Sequence, residues 1–233
     1  MNFSIIIPVF NEEKNIHSLI KEIFFSVKNE KSYQIIIIND ASTDNTSAEL
    51  DIIKKKFSEV VLVLNNKNNI GQSLSLIKGI EKSKYDTIVT IDGDGQNNPK
   101  DIPLLLKKYF EDEEILLVGG IRFKRKDSLV KMLSSRIANN IRKFILNDNC
   151  IDTGCSLKVF DRKLFLRFPK FRGMHRFLPA LFKGYGSKTF FINVDHRPRK
   201  YGYSKYGTLS RLFAGISDLI RVYIIIKKYK KYL

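Results

Sequence analysis

Two aspartates one residue apart, Asp92 and Asp94, follow an apolar run in the stretch TIVTIDGDGQNNP (87–99). In an extended segment, residues i and i+2 point to the same side, so we expect the two carboxylates to face one point. Paired carboxylates suit Mg²⁺ or Mn²⁺, and Gln96 offers a third oxygen donor at the same spacing. The pattern indicates a divalent cation that also binds the oxygens of a diphosphate.

A turn is the main alternative for this stretch, because Asp-Gly pairs commonly form turns. On these residues alone, a turn and a metal site are equally favoured. A calcium-binding EF-hand loop is disfavoured, because Asn97 stands where that loop requires glycine and Pro103 where it requires glutamate.

Polar loops follow three other apolar runs, with the sequences PVFNEE (8–13), NDASTDNT (39–46) and NNKNNIGQS (65–73). Asp40 is suited to accept a hydrogen bond from a nucleobase or a ribose, with Pro8 and Phe10 beside the ring. A helix-capping role explains Asp40 and Ser42 about equally well. Both interpretations stay open at this point.

Short, β-branched apolar runs predict strands that are covered on both faces. They span 3–9, 34–39, 60–64, 87–92 and 115–120, with predicted helices at 12–28, 43–57, 71–83 and 99–111. This alternation predicts a parallel, doubly wound α/β sheet. Ligands of such sheets bind beyond the carboxyl ends of the strands, where the polar loops gather.

The regular alternation fades after residue 121. We expect a basic amphipathic helix over 123–146, a loop and helix over 171–186, and a late strand over 189–196. The sequence contains no internal repeat and no linker-like segment, which predicts a single domain over 1–233.

The positive charge is confined to the second half of the chain. Residues 1–121 hold 14 Lys/Arg and 18 Asp/Glu, whereas residues 122–233 hold 27 and 6, so the net charges are −4 and +21. The second half is therefore expected to meet an anionic partner. A nucleic-acid-binding module would explain the charge, but paired acids at the strand edge would repel a polyanion, so no nucleic-acid partner is predicted.

The segment 208–233 mixes apolar residues and tyrosines with lysines and arginines, which suits the surface of an anionic membrane. The alternative is a core-packing helix with a solvated basic end. No run approaches the roughly 18 apolar residues of a membrane span, and the N-terminus lacks the features of a signal peptide. Cys150 and Cys155 are read as reduced thiols. We expect a cytoplasmic protein, peripheral on the inner face of the cell membrane.

Seven segments together resemble family 2 glycosyltransferases, most of all the dolichyl- and undecaprenyl-phosphate sugar transferases. They read IIIPVFNEE, IIINDASTDNT, NNIGQSLSLIKGI, TIDGDGQNNP, GGIRF, DTGCSLKVFDR and RKYGYSKYG, and they cover nearly the whole chain. The resemblance implies a three-layer α/β fold of the GT-A type with a mostly parallel central sheet. It also implies transfer of a sugar from a UDP- or GDP-sugar with inversion of the anomeric centre.

The resemblance also implies roles for individual residues. In the half formed by 1–121, Pro8, Phe10, Glu12 and Asp40 would hold the nucleoside, and Asp92, Asp94 and Gln96 the metal and diphosphate. In the acceptor half, 122–207, Arg122 and Arg136 would meet phosphates, and Arg199, Ser204 and Lys205 would close over donor and acceptor. Asp94, Arg122 and Arg199 would be catalytic. Asp152, His175 and Arg176 would face the acceptor. A buried helix or turn cap explains Asp152 nearly as well, and a positioning or phosphate-binding role beside Arg176 is favoured over a base role for His175.

The scarcity of acids in the second half favours a polyprenyl phosphate as the acceptor, because a phosphate is already anionic and needs no base. A hydroxyl acceptor in a cell-envelope polysaccharide or glycolipid is the alternative. Many members of the family that this chain resembles continue into transmembrane helices beyond the point where this chain stops, at Leu233. We therefore expect peripheral docking, a homo-oligomer or a separate membrane protein to provide access to a lipid.

Overall fold

The computed structural model describes residues 1–122, 140–199, 201 and 208–230, with the side chains of the last range described from 215 to 229. The predicted site residues Arg136, Ser204 and Lys205 lie outside the described residues, as does most of the helix expected over 123–146.

Strands and helices alternate through the first half, as the apolar pattern predicts. They are β1 (Asn2–Val9), α1 (Ile16–Val27), β2 (Ser32–Asn39), α2 (Thr46–Lys56), β3 (Val61–Asn65), α3 (Gln72–Glu81), β4 (Thr87–Thr90), a 3₁₀ turn (Pro99–Asp101), α4 (Ile102–Tyr109) and β5 (Ile115–Arg122). The second half contains α5 (140–146), β6 (Lys158–Asp161), α6 (Arg162–Arg167), a 3₁₀ turn (Met174–Phe177), α7 (Leu178–Gly184), β7 (Lys188–Val194) and α8 (Thr208–Lys230).

The seven strands of the described residues form one sheet in the order β3-β2-β1-β4-β6-β5-β7. The strand β6, which the apolar pattern does not predict, runs antiparallel to both β4 and β5. The remaining pairs are parallel, so a mostly parallel sheet is confirmed. Because β6 is reversed, its first residue lies at the edge where the parallel strands end.

Helices cover both faces of the sheet and form three layers. One face packs the odd-numbered isoleucines of β1 and β2 against α1, α2 and α4. The other face packs Ile6, Ile36 and Ile38 against α3, and the same core includes side chains of α6, α7 and α8. Alternating side chains of one strand therefore serve two separate cores, which explains why the strands read as continuous apolar runs.

Gly79 lets α3 lie close to the sheet. A Cβ atom at this position would lie 2.6 Å from a methyl group of Ile38 and 2.7 Å from one of Ile6. The close approach sets the position of α3, and hence of its first turn at the carboxyl edge of the sheet.

Candidate active site

The loops after β1 and β2 begin with strained residues. Asn11 and Ala41 both have positive φ angles, of 55° and 58°, and non-glycine residues in this region cluster at functional sites. Asn11 Nδ2 and the Thr43 hydroxyl lie 3.1 Å apart, and Thr43 N–H donates to Asn11 Oδ1 at 2.8 Å. The two predicted nucleoside loops are therefore bonded to each other.

Asp40 lies at the end of β2 and is only 3% exposed. Its Oδ1 accepts from the Asn66 side chain at 2.8 Å and from Ile70 N–H at 2.9 Å, and its Oδ2 accepts from Gly71 N–H at 2.8 Å. The carboxylate thus holds the loop that leads into α3. Pro8 and Phe10, at the end of β1 and just after it, are half-buried. Contact of Pro8, Phe10 and Asp40 with a nucleoside stays a prediction.

The two aspartates of the opening motif lie just beyond β4. The strand ends at Thr90, and Gly93 and Asp94 form a turn, so the extended geometry expected of this segment is wrong. The carboxylates are nevertheless close enough to interact. Burial, and second the negative charge of Asp94, raise the pKa of Asp92 to about 7, although the Ser156 hydroxyl and two cations oppose the rise. The turn and the candidate metal site are the same feature.

Gly93 must be small for this turn to form. A Cβ atom there would lie 2.6 Å from a methyl group of Val9 and 3.3 Å from the carbonyl oxygen of Pro8. The end of β1 therefore packs directly against the backbone between the two acids.

Gln96 bonds to the segment 195–199 through its side chain, whereas its backbone N–H donates to Asp94 Oδ1 at 3.1 Å. Its side-chain Nε2 donates to the carbonyl of Arg197 at 3.3 Å, and its own carbonyl accepts from Arg197 N–H at 2.8 Å. Arg197 in turn donates to Asn98 and pairs with Glu22, each at 2.6 Å. Metal binding by Gln96 stays a prediction, whereas its role in holding this segment is visible.

Arg199, at the end of the segment 195–199, contacts the acidic residues of the site. Its guanidinium lies 2.7 Å from Asp94 and 3.9 Å from Glu12. Glu12 is buried and accepts from the Asn15 side chain at 2.7 Å. Three residues predicted from separate motifs, Glu12, Asp94 and Arg199, therefore meet at one place.

Arg122 and Asp152 form a two-pronged ion pair. Arg122 is the last residue of β5, and its Nε and Nη2 each donate to the Asp152 carboxylate at 2.7 Å. Asp152 also accepts from Arg122 N–H at 3.1 Å. A Cβ atom at Gly154 would lie 2.6 Å from the Arg122 guanidinium, so the glycine of DTGCS makes room for this pair.

His175 is partly buried beneath α3. Its Nδ1 lies 2.6 Å from the Ser73 hydroxyl. Burial, and then the positive charges of Arg176 and Lys158, lower the pKa of His175 to about 3. The neighbouring Arg176 pairs with Asp218 of α8 at 2.8 Å, so the loop of residues 171–176 is fastened to α3 on one side and to α8 on the other.

Four functional candidates escaped the sequence reasoning: Gln72, Ser73, Ser156 and Lys158. Gln72 Nε2 donates to Asp92 Oδ1 at 2.6 Å, and the Ser156 hydroxyl accepts from Asp92 N–H at 3.1 Å. Lys158, the first residue of β6, is only 4% exposed and donates to the carbonyl of Cys155. For Lys158, the sequence does offer a signal, because a lysine within the apolar run CSLKVF is unusual and indicates a specific role.

The sequence matches the family described as Glycosyl transferase family 2 over residues 4–169. It is 32% identical to the dodecaprenyl-phosphate galacturonate synthase of Rhizobium johnstonii, over 99% of this chain and 68% of that protein. It is 31% identical to the undecaprenyl-phosphate 4-deoxy-4-formamido-L-arabinose transferase of Edwardsiella ictaluri, over 93% of this chain and 66% of that protein. The chain thus spans about two thirds of the length of these relatives.

Solved structures share the fold at low sequence identity. The glucosyl-3-phosphoglycerate synthase of Mycobacterium tuberculosis, crystallised with Mn²⁺ and UDP, superposes with a TM-score of 0.69 at 17% identity, covering 95% of this chain and 78% of that one. The mannosyl-3-phosphoglycerate synthase of Rubrobacter xylanophilus gives 0.70 at 16%, covering 95% and 73%. These likenesses confirm the GT-A type fold. With the family match over 4–169 and relatives more than 30% identical, the chain belongs to glycosyltransferase family 2.

Proposed function

We propose that this protein transfers one sugar from a nucleotide diphosphosugar to a polyprenyl phosphate, with inversion at the anomeric carbon. The observation that carries the proposal is the meeting of the Asp92–Asp94 turn with Arg199 and Glu12 at the carboxyl edge of the sheet. The names of the relatives, which are polyprenyl-phosphate sugar synthases and transferases, support the acceptor class.

The acidic pair fits a divalent cation. Two carboxylates lie close enough for one to raise the pKa of the other, and a bound cation would relieve that repulsion. Among the described residues, no cluster of three or more His, Cys, Asp and Glu side chains is placed to bind a metal, so diphosphate and water oxygens would complete the shell of Mg²⁺ or Mn²⁺. When bound, the ion stabilises the negative charge of the departing nucleotide.

The chain's own cations surround the same place. Arg199 reaches Asp94 from the segment 195–199, and the Lys158 and Arg122 charges act on Asp92 strongly enough to oppose the rise in its pKa. In a site that excludes water, such fixed donors stabilise a developing diphosphate charge more strongly than water does. We assign the binding of the leaving group to Arg122 and Arg199.

The acids of the second half support an acceptor that needs no base. All five that the structure describes are engaged: Asp148 with Arg142, Asp152 with Arg122, Asp161 with Leu164 N–H, Asp195 with Asn98, and Asp218 with Arg176. A hydroxyl acceptor requires a group that removes its proton, whereas a phosphate monoester is already largely ionised at neutral pH. A polyprenyl phosphate fits this arrangement better than a sugar hydroxyl does.

The described part of α8 offers a surface for an anionic membrane. Its exposed apolar residues, Ile216, Ile220, Tyr223 and Ile224, share helical spacing and are called the α8 stripe below. Arg221, Lys227 and Lys228 are exposed beside them. An apolar stripe with a basic border suits a helix that lies in the headgroup region. In the part of the chain that the structure describes, no helix is long and apolar enough to span a bilayer.

A donor panel tests the proposal. The protein is incubated with Mn²⁺ or Mg²⁺, undecaprenyl phosphate and labelled UDP- or GDP-sugars in turn, and lipid-extracted label is counted. We expect one donor to give a lipid-linked sugar, and chelation of the metal to abolish the product. Absence of lipid-linked product from every donor would overturn the proposed acceptor class, and full turnover with chelator present would overturn the metal role.

A further inference from the structure

The segment that begins α3 contacts three parts of the site through three consecutive residues, Gly71, Gln72 and Ser73. Gly71 N–H donates to Asp40 at 2.8 Å, the Gln72 side chain donates to Asp92 at 2.6 Å, and the Ser73 hydroxyl lies 2.6 Å from Nδ1 of His175. His175 is therefore tied to the same short segment that orients the predicted nucleoside acid and a predicted metal ligand.

The hydrogen bonds of Ser73 indicate which nitrogen of His175 carries the proton. The Ser73 oxygen accepts from Gly173 N–H at 3.0 Å and is approached by His175 N–H at 3.5 Å. Its own proton is therefore directed at Nδ1, which must then accept. The imidazole is neutral because its pKa is lowered to about 3, so the proton of the ring resides on Nε2.

The loop that carries His175 lies on the face of the sheet that α8 covers, because Met174 and Phe177 share one core with Val222 of α8. Its neighbour Arg176 pairs with Asp218 of α8, and α8 carries the α8 stripe. The charge of Lys158 acts on both His175 and Asp92, so the histidine and the acidic pair share one nearby cation. Among the described residues, Ser73 supplies the side-chain hydrogen bond of His175, and that bond uses Nδ1 alone.

We propose that Nε2–H of His175 donates a hydrogen bond to an anionic oxygen of the acceptor phosphate, and that Ser73 is a positioning residue that selects this tautomer. The inference rests on the proposed function, because it assumes a phosphate acceptor. The neutral ring orients the phosphate through a directional hydrogen bond, whereas Arg176 and Lys158 supply the positive charge that attracts the phosphate. His175 takes no proton in this role, so the negatively charged acceptor oxygen remains available to attack the sugar.

Binding of farnesyl phosphate, a short soluble polyprenyl phosphate, tests the inference without turnover. We expect His175→Ala to weaken its affinity by about tenfold or more, as for loss of a hydrogen bond to a charged group. His175→Gln, which places an N–H near the position of Nε2, should recover most of the affinity, and His175→Asn, which places its amide near Nδ1, should not. His17→Ala, on α1, is the matched control and should bind like the wild type.

Two further readouts separate this role from a merely structural one. Farnesol, which lacks the phosphate, should bind the wild type and His175→Ala equally weakly. Long-range ¹H–¹⁵N spectra should show the Nε2–H tautomer in the wild type and a mixture in Ser73→Ala.

Equal affinity of wild type and His175→Ala for farnesyl phosphate, or an Nδ1–H tautomer, would overturn the inference while the wild type still makes lipid-linked product. Failure of the wild type to bind farnesyl phosphate and to make product would instead overturn the proposed function, and the inference with it.

Discussion

Nη2 of Arg199 lies 2.7 Å from Oδ2 of Asp94, although 105 residues separate them in the chain. The contact joins the segment 195–199 to the turn after β4, and Glu12 lies 3.9 Å away on the same guanidinium. Arg199 is therefore a partner of Asp94, and a cation that binds Asp94 must share or replace this contact.

Replacing Arg199 by methionine should separate metal binding from catalysis. Asp94 loses its cationic partner, so we expect Mn²⁺ to bind more tightly in the absence of donor. Turnover should fall by roughly a hundredfold or more, because the leaving diphosphate loses a fixed donor. Mn²⁺ titration by calorimetry and the initial rate of transfer measure the two effects. Lys163→Met, on the exposed surface of α6, is the control. A parallel loss of Mn²⁺ affinity and rate would contradict the competition between Arg199 and the metal.

Metal binding should depend on pH through Asp92. Its pKa of about 7 lies above the ordinary carboxyl value. Between about pH 4 and pH 7 the folded protein therefore holds a proton on Asp92 that the unfolded chain has lost. Stability from this group is therefore lost as the pH rises through that window. The cation needs the ionised form, so its affinity should rise over the same range and level off above about pH 7.

The measurement for Asp92 is the increase in Tm caused by Mn²⁺ at about pH 6 and about pH 8. We expect the larger increase at the higher pH, and we expect Asp92→Asn to remove the difference. An equal increase at both values in the wild type would show that Asp92 is already ionised at pH 6.

Asp40→Asn should destabilise the protein and disturb the donor site together. The carboxylate accepts three hydrogen bonds, and an amide would turn a donor toward at least one N–H group. Leaving buried donors without acceptors costs about 1–3 kcal/mol each, so we expect a loss of about 2 kcal/mol or more in urea unfolding. Asp51→Asn, exposed on α2, should change stability little. Unchanged stability of Asp40→Asn would mean that the loop 66–71 is held by other contacts.

The α8 stripe should determine membrane binding. The double variant Ile220→Glu/Ile224→Glu places two acids in the apolar stripe beside Arg221 and Lys228, which removes apolar area and opposes the attraction to anionic lipid. We expect flotation with phosphatidylglycerol-containing vesicles to fall sharply, while the folded state and donor binding are retained. Ile52→Glu, an equally exposed isoleucine on α2, is the control. Undiminished flotation of the double variant would place the membrane contact elsewhere.

The sequence is sufficient to predict the sheet and the edge where the polar loops gather, because continuous apolar runs and the polar loops after them are local patterns. The strand β6 was missed for a local reason as well. Its four residues begin with Lys158 and end with Asp161. Charged residues at both ends interrupt the continuous apolar run by which a buried strand is recognised in a sequence.

The pairings within the site required the tertiary structure. Ser73 and His175 are 102 residues apart, and Arg122 and Asp152 are 30 apart, and no periodicity links either pair. In the DGDG segment the two acids interact electrostatically, and their role as one metal site stays a prediction. The expected extended backbone is wrong, because Gly93 allows a turn packed against Val9.

The most direct test of the central claim compares undecaprenyl phosphate with undecaprenol as acceptors, using the active donor, Mn²⁺ and either the wild type or Asp94→Asn. Lipid-linked sugar is quantified after extraction. We predict product from the phosphate with the wild type only, and none from the alcohol. Product from undecaprenol, or undiminished product from undecaprenyl phosphate with Asp94→Asn, would contradict a metal-assisted transfer to a lipid phosphate at the Asp92–Asp94 turn.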